Sequence, residues 1–129
     1  MTTQRLPRLL LATAAGVLAC GLPLWPLSYR EVSIGANPPP SLWLLLSGAA
    51  GLLAGILLRP GLLRPILAVT LGFMIAVMGR VEVETSRDST SHNLWPIEVV
   101  MAGAIGLAAA AIGVGAARLG QRAADRRAA

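Results

Sequence analysis

The stretch at residues 86–98, SRDSTSHNLWPIE, holds the side chains best suited to chemistry, including His92, the single histidine of the chain. Asp88, His92 and Glu98 are ligand types that Zn²⁺ or another divalent cation accepts. Their spacing matches no recognised metal motif, and a catalytic zinc site usually needs a second histidine. We therefore predict no metal and no other cofactor. The alternative function is an outward-facing protein that binds a small ligand or a metal through this loop.

Nucleophilic catalysis is a poor explanation of the same loop. Ser89 and Ser91 lie close in sequence to His92 and Asp88, but residues of one short loop seldom reach the geometry of nucleophile, base and orienting group. No glycine-rich phosphate loop follows a strand pattern. We therefore expect a protein that is not an enzyme and has no catalytic residues.

A structural interpretation accounts for more of these residues. Pro96 suits the first turn of a helix, and Glu98 in that turn is favoured by the positive end of the helix dipole. Trp95 is a typical interfacial anchor, and Ser91 or Asn93 can accept hydrogen bonds from free backbone donors ahead of it. The stretch therefore predicts a polar turn that begins a helix. If the turn also binds a ligand or partner, the surface consists of Asp88, His92, Asn93, Trp95 and Glu98.

The composition is that of a membrane protein. The 129 residues are 55% hydrophobic and 13% charged, with a mean hydropathy of +0.68. Four uncharged apolar runs are each long enough to cross the hydrocarbon core of a bilayer. We predict a single-domain, all-α integral membrane protein with four transmembrane helices in an antiparallel up-down bundle, surrounded by lipid. The predicted helices cover about residues 8–28, 41–58, 62–79 and 96–118, followed by a basic cytoplasmic tail at 119–129.

The arginines orient this bundle. The N-terminus, the loop between the second and third runs and the tail together contain eight arginines and one acidic residue, whereas the other two loops contain three arginines and five acidic residues. By the positive-inside rule, both termini of this multi-pass protein of the cell membrane are cytoplasmic. Because the arginines lie at the ends of apolar runs rather than on one face, we expect no nucleic-acid partner. The outer ends of the runs carry aromatic residues that suit an interface: Trp25, Tyr29, Trp43 and Trp95.

Small residues at a spacing of four predict close helix packing, because backbones that approach closely in lipid gain van der Waals contacts. The second and fourth runs carry such stripes. Their packing serves the bundle itself or, because the fourth run has two stripes, a membrane protein partner or a second copy of the chain. The predicted packing residues are Ser47, Gly51, Gly55, Ala102, Gly106, Ala110 and Gly113.

The four uncharged apolar runs contain almost no polar side chains, and Cys20 is the one ionisable group within these runs. Ion-coupled transport usually needs carboxylates, histidines or arginines inside the membrane, so the pattern argues against a pump or carrier. The leading hypothesis is a non-enzymatic accessory or scaffolding subunit of a membrane complex. A lipid-modified Cys20 after a cleaved signal peptide is a less favoured alternative, because the apolar run continues beyond it.

Two features of the loops complete the expectation. Polar and apolar residues alternate at 30–34 and 80–84, and this period of two predicts a short β-ribbon between the outer loops. Between the second and third runs, Pro60 and Gly61 predict a tight turn that joins the two helices in a close hairpin. Ser41 is the expected N-cap of the second helix.

Overall fold

The computed structural model describes residues 3–28, 30–32, 36–59, 61–90 and 94–129, and this part of the chain forms helices without any strand. All of the helices are long and apolar enough to cross a membrane. The all-helical class and the number of helices that could span a membrane are therefore confirmed. The helices are α1 (Arg5–Leu24), α2 (Pro40–Leu57), α3 (Leu63–Arg87) and α4 (Trp95–Ala128).

The helices pack most extensively as two pairs, α1 with α3 and α2 with α4. In each pair, contacts that lie further along one helix also lie further along the other. The two helices of a pair are therefore parallel. Gly51 lies against Ala110, and Gly55, one turn later, lies against Val114 and Ala117. Between α3 and α4, Gly106 lies against Phe73 and Gly103 lies against Met74. Helices α2 and α3, which are expected to form a close hairpin, contact each other less than either pair does. Pro60 of the expected turn lies outside the described residues.

Glycines bring the backbones of α1 and α3 together. A Cβ atom on Gly72 would lie 2.7 Å from the backbone nitrogen of Val17 and 2.8 Å from the Cα atom of Gly16. A Cβ atom on Gly16 would lie 2.5 Å from the carbonyl oxygen of Val69. Real Cβ atoms do not approach backbone this closely, so the pairing of α1 and α3 requires glycine at these positions.

The small residues of α2 lie against α4. A Cβ atom on Gly51 would lie 2.9 Å from the carbonyl oxygen of Ala110, and one on Gly113 would lie 2.7 Å from the backbone nitrogen of Leu52. Gly106 instead faces α3, where its Cβ would lie 2.8 Å from the ring of Phe73. Also buried on these two helices are Ser47, Gly55 and Ala102.

The centre of the bundle is filled by small and medium-sized side chains around Phe73, Val69 and Val114, which are fully buried. Most large aliphatic side chains point away from the bundle. A water-soluble bundle would bury these leucines, whereas a lipid environment leaves no reason to do so. Among the exposed ones are Leu10, Leu18, Leu45, Leu53, Leu67 and Leu71.

The end of α3 differs from the expectation. The helix continues to Arg87, eight residues beyond the predicted boundary, so residues 80–84 are helical and their assignment to a β-ribbon is wrong. The alternation there also fits a helix, because Arg80 and Glu84 lie one turn apart and form an ion pair with 3.0 Å between Nε and Oε1. Val81 is buried on the same side of the helix. In the first predicted strand, residues 33–34 lie outside the described part.

The other boundaries differ less. Helix α1 begins three residues before the expected position and ends before Pro26, and α2 begins at Pro40 with Pro39, not Ser41, as its N-cap. Pro96 and Glu98 lie in the first turn of α4, as expected. Helix α4 runs on through the predicted tail to Ala128 as one helix of 34 residues, about 51 Å long.

Candidate functional site

A polar cleft of about 510 Å³ lies where the segment after α1 meets the last turns of α3. We call this end of the bundle, which carries the α1–α2 and α3–α4 connections, the loop end, and the opposite end the tail end. The volume falls within the range of small-ligand sites. Of the residues proposed from the 86–98 stretch, Asp88 lines the cleft. Its other charged residues are Arg30, Glu31, Glu84 and Arg87.

Arg80 joins the two walls of this loop-end cleft. Its side chain is only 6% exposed. Its Nε donates to Oε1 of Glu84 at 3.0 Å, and its Nη2 donates to the carbonyl oxygen of Leu27 at 2.9 Å. Leu27 lies on the wall that follows α1, and Glu84 lies on the wall formed by α3. The positive guanidinium thus binds the segment just beyond the C-terminus of α1, the end of the helix that carries partial negative charge.

Trp25 forms the second link between α1 and α3. Its Nε1 donates to the carbonyl oxygen of Ala76 at 3.2 Å, and its ring covers Gly21, where a Cβ atom would collide with it. The Trp25 side chain is still 45% exposed and lines the cleft. Two hydrogen bonds therefore hold the floor of the cleft together. Trp25, at the end of α1, donates to a backbone carbonyl of α3, and Arg80 of α3 donates to a backbone carbonyl of the segment after α1.

The carboxylates of the cleft already have partners within the chain. Oε2 of Glu31 accepts a hydrogen bond from the backbone N–H of Ser28 at 2.6 Å, and this bond lowers the pKa of the Glu31 carboxyl. Oδ1 of Asp88 accepts from the hydroxyl of Thr90 at 2.7 Å and from its N–H at 3.0 Å. These bonds, together with the positive charge of Arg30, lower the pKa of Asp88. Both groups are therefore anionic at neutral pH.

The two arginines on the rim differ from these carboxylates. Arg30 and Arg87 are exposed and line the cleft. Within the described part of the chain, neither forms an ion pair or a side-chain hydrogen bond. Since a guanidinium has five N–H donors and no acceptor, these arginines are the groups with the largest unused capacity to bind a ligand.

The other predicted loop residues that the structure describes, Trp95 and Glu98, are not gathered in the cleft. Trp95 is 43% exposed at the start of α4, and Glu98 lies one turn later, but neither lines the cleft. His92 and Asn93, as well as Tyr29 and Ser91, lie outside the described residues. The described ranges contain no group of three His, Cys, Asp or Glu that could hold a metal ion.

The tail end contains an arginine arrangement that resembles that of Arg80. Nη2 of Arg118, on α4, donates to the carbonyl oxygens of Leu58 at 3.2 Å and Gly61 at 2.6 Å, and its Nη1 donates to Oε1 of Gln121 at 2.9 Å. Arg118 therefore binds carbonyl oxygens just after the C-terminus of α2, as Arg80 binds one just after the C-terminus of α1, and we call these two contacts the arginine caps. In each parallel pair, the longer helix supplies an arginine to the end of the shorter one.

Sequence reasoning missed the role of Arg80, because it assigned this residue to a loop strand. The useful signal was the spacing of four between Arg80 and Glu84, which is typical of ion pairs on a helix. The same reasoning counted Arg118 among the arginines that orient the bundle and did not predict its contact with the end of α2. Comparisons with protein-family models, with curated proteins and with solved structures found no match, so the function must be inferred from the geometry of the chain itself.

Proposed function

We propose that this chain is a four-span integral protein of the cell membrane, with its consecutive helices crossing the bilayer in opposite directions and both termini in the cytoplasm. The apolar helices and their outward-pointing leucines support insertion into lipid. The excess of arginines at the tail end supports the orientation. In this arrangement the loop-end cleft faces outward at the level of the lipid headgroups.

Single-cysteine labelling tests this orientation. In a Cys20→Ala background, Ser89→Cys should react with a membrane-impermeant thiol reagent added to intact cells, whereas Ala123→Cys should react only after permeabilisation. Ser89 and Ala123 are both exposed at opposite ends of the bundle, so the accessibility of the thiol in the folded chain is matched. Labelling of Ala123→Cys alone in intact cells would reverse the orientation.

Within the membrane, we infer that the protein is a non-enzymatic accessory or scaffolding subunit of a larger complex. Both stripes predicted on the fourth run, Ala102, Gly106 and Ala110 and the neighbouring Ala109, Gly113 and Ala117, are buried within the bundle. The observation that carries this proposal is a further stripe of small residues on α4, which the sequence reasoning did not single out. Because α4 turns 100° per residue, this stripe lies on the side opposite the buried face that packs on α2 and α3. It faces away from the bundle. Its members are Ala104, Ala108, Ala111 and Gly115.

The outward faces of the other helices differ from this stripe. They expose large aliphatic side chains, such as Leu52 and Leu53 on α2 and Leu71 and Ile75 on α3. Lipid requires no small residues on an outward face, whereas a partner helix gains close backbone contact from them. The buried stripes of α2 and α4 are already used for packing within the chain. Leucine at Gly51 would therefore disrupt the bundle and cannot test a partner.

Leucine at the outward stripe tests the subunit proposal. Ala108→Leu should remove a stoichiometric companion, either another membrane protein or a second copy, that co-purifies with the wild-type chain in mild detergent. The thermal midpoint of the isolated chain should stay unchanged, because the Ala108 side chain is exposed on α4. Ala14→Leu, an identical change at an exposed position of α1, is the control and should retain the companion. A wild-type chain that purifies as a lone monomer would contradict the proposal.

A second candidate function is supported by the loop-end cleft and its two arginines. In this case the chain binds a small ligand on its outer face, and the chemistry of the cleft defines which ligand.

A further inference from the structure

The tail end of the bundle carries a large excess of positive charge. Its segments, residues 1–8, 58–64 and 118–129, contain eight arginines and a single acidic side chain, that of Asp125. This count is taken over every residue of these segments in the full sequence. The chain therefore lacks the carboxylates that would neutralise its tail end, and most of the balancing negative charge must come from outside the chain.

The cap formed by Arg118 holds two of these segments together. Its guanidinium binds two carbonyl oxygens between α2 and α3, at 3.2 and 2.6 Å. Arg59 and Arg64 lie on either side of this connection, and Arg122 lies one turn beyond Arg118 on α4. We call Arg59, Arg64 and Arg122 the basic cluster. All three side chains are exposed, and none forms an ion pair or a side-chain hydrogen bond within the described ranges.

Hydrogen-bond donors outnumber acceptors in this region. Nε of Arg118 and Nε2 of Gln121 are enclosed and have no partner in the part of the chain that the structure describes. Oε1 of Gln121 already accepts from Arg118 at 2.9 Å. Buried donors usually have a partner, and each exposed guanidinium adds five further N–H donors. The ligand that suits this surface is therefore an anion with several acceptor oxygens, and phosphate binds guanidinium groups through charge-assisted hydrogen bonds.

Exposed leucines lie beside the basic cluster. Leu62 and Leu63, which separate Arg59 from Arg64 in the chain, are 54% and 72% exposed, and Leu119 of α4 is 67% exposed. A soluble anion or an acidic protein segment would gain from the arginines but not from these apolar side chains. A phospholipid presents a phosphate and acyl chains together, so it can use both kinds of surface.

The charge of the tail end also selects among phospholipids. Phosphatidylcholine and phosphatidylethanolamine carry a positive ammonium group beside the phosphate, and here that group would meet an excess of arginines. Phosphatidylglycerol carries a neutral glycerol in its place. The tail end therefore favours a phospholipid whose headgroup has a net negative charge.

We propose that the tail end binds an anionic phospholipid, with the phosphate held by Arg59, Arg64 and Arg122 and the acyl chains lying against the exposed leucines of the same surface. This inference goes beyond the subunit function. It rests on the proposed membrane placement, which brings the tail end into contact with lipid.

Native mass spectrometry of the purified full-length chain in detergent tests the proposal. The probes are phosphatidylglycerol, phosphatidylcholine with the same acyl chains, and glycerophosphoglycerol, which is the first headgroup without its acyl chains. We expect phosphatidylglycerol to bind most tightly. Arg59→Gln and Arg64→Gln should each weaken its binding about fivefold, which is the usual contribution of one arginine near an anionic surface. Both side chains are exposed, so the thermal midpoint should stay unchanged.

Arg127→Gln is the matched control. It removes the same charge from an exposed position on α4, about 7.5 Å further along the helix axis than Arg122. Because exposed charges at this distance are partly screened by salt, the variant should weaken the binding of phosphatidylglycerol by about twofold at most. An effect as large as that of Arg59→Gln would mean that the attraction is diffuse and that no local site exists.

Three further results would overturn the proposal. The first is equal affinity for phosphatidylglycerol and phosphatidylcholine, and the second is full affinity in the Arg59→Gln, Arg64→Gln double variant. The third is equally tight binding of glycerophosphoglycerol, which would assign the arginines to a soluble phosphodiester. Cysteine labelling and co-purification are measured separately, so a failed lipid site does not count against the membrane placement or the subunit function.

Discussion

Gly72→Ala is expected to destabilise the protein by about 3 kcal/mol or more, because overpacking of this kind cannot be relieved by side-chain movement. The added methyl group would lie against the backbone of α1, including the carbonyl oxygen of Thr13 and, at 2.7 Å, the nitrogen of Val17. The two helices would have to separate along their length. The free energy of unfolding in mixed micelles, followed by the loss of helical circular dichroism on titration with a denaturing detergent, measures this effect.

Gly79→Ala is the matched control for that experiment. Gly79 lies two turns further along α3, and no atom lies within 4 Å of a Cβ placed there. Alanine should be neutral or should stabilise the helix by up to about 1 kcal/mol, because alanine has the higher helix propensity. Equal stability of the Gly72→Ala and Gly79→Ala variants would show that the close contact between α1 and α3 does not exist.

Arg80→Gln is expected to have the second largest effect, a loss of about 2–4 kcal/mol. The variant leaves the carboxylate of Glu84 without its cation and the carbonyl oxygen of Leu27 without its donor. Glu84 is 22% exposed, so water compensates part of the loss. We expect a lower thermal midpoint in detergent, together with faster proteolysis of the segment that follows α1, because that segment is held to α3 by this contact.

Arg87→Gln provides the control for Arg80. It removes the same charge two turns later on α3, but Arg87 is exposed and forms no ion pair within the described residues. Its effect on stability should stay within about 0.5 kcal/mol, as is usual for a surface substitution. If both variants lose the same stability, the effect is due to net charge, and the specific contact between Arg80 and Leu27 is unimportant.

The sequence predicted the number of helices well, because each long apolar run is a strong and local signal. It predicted the end of α3 poorly. Charged residues at 80–87 suggested that the span had ended, although a helix can continue into a polar environment when its side chains pair along one face. The same limitation applies to α4, whose polar tail continues the helix to Ala128.

The pairing of the helices was harder to predict than their number. Stripes of small residues were recognised on α2 and α4, but the stripe Ala68, Gly72 and Ala76 on α3, with the same spacing of four, was overlooked. Gly16 on α1, which lies against it, also has small neighbours at this spacing. A stripe does not identify its partner, so the short α2–α3 turn was given more weight than the glycines that pair α1 with α3.

For the candidate site, the sequence pointed to the right end of the molecule but not to the right residues. Among the proposed residues that the structure describes, Asp88 alone lines the cleft. The other wall is the segment after α1, which is distant in sequence and carries no histidine or recognisable motif. Its proximity depends on the parallel packing of α1 and α3, and therefore on Gly16 and Gly72.

The two arginine caps also bear on how the protein would respond to bilayers of different thickness. Each cap fixes the axial position of one helix relative to the other in its pair. If one helix slid by a single turn, about 5.4 Å, Arg80 or Arg118 would be carried away from the carbonyl oxygens that it binds. Hydrophobic mismatch can then be accommodated by tilting of the whole bundle or by deformation of the surrounding lipid, but not by movement of one helix past its neighbour.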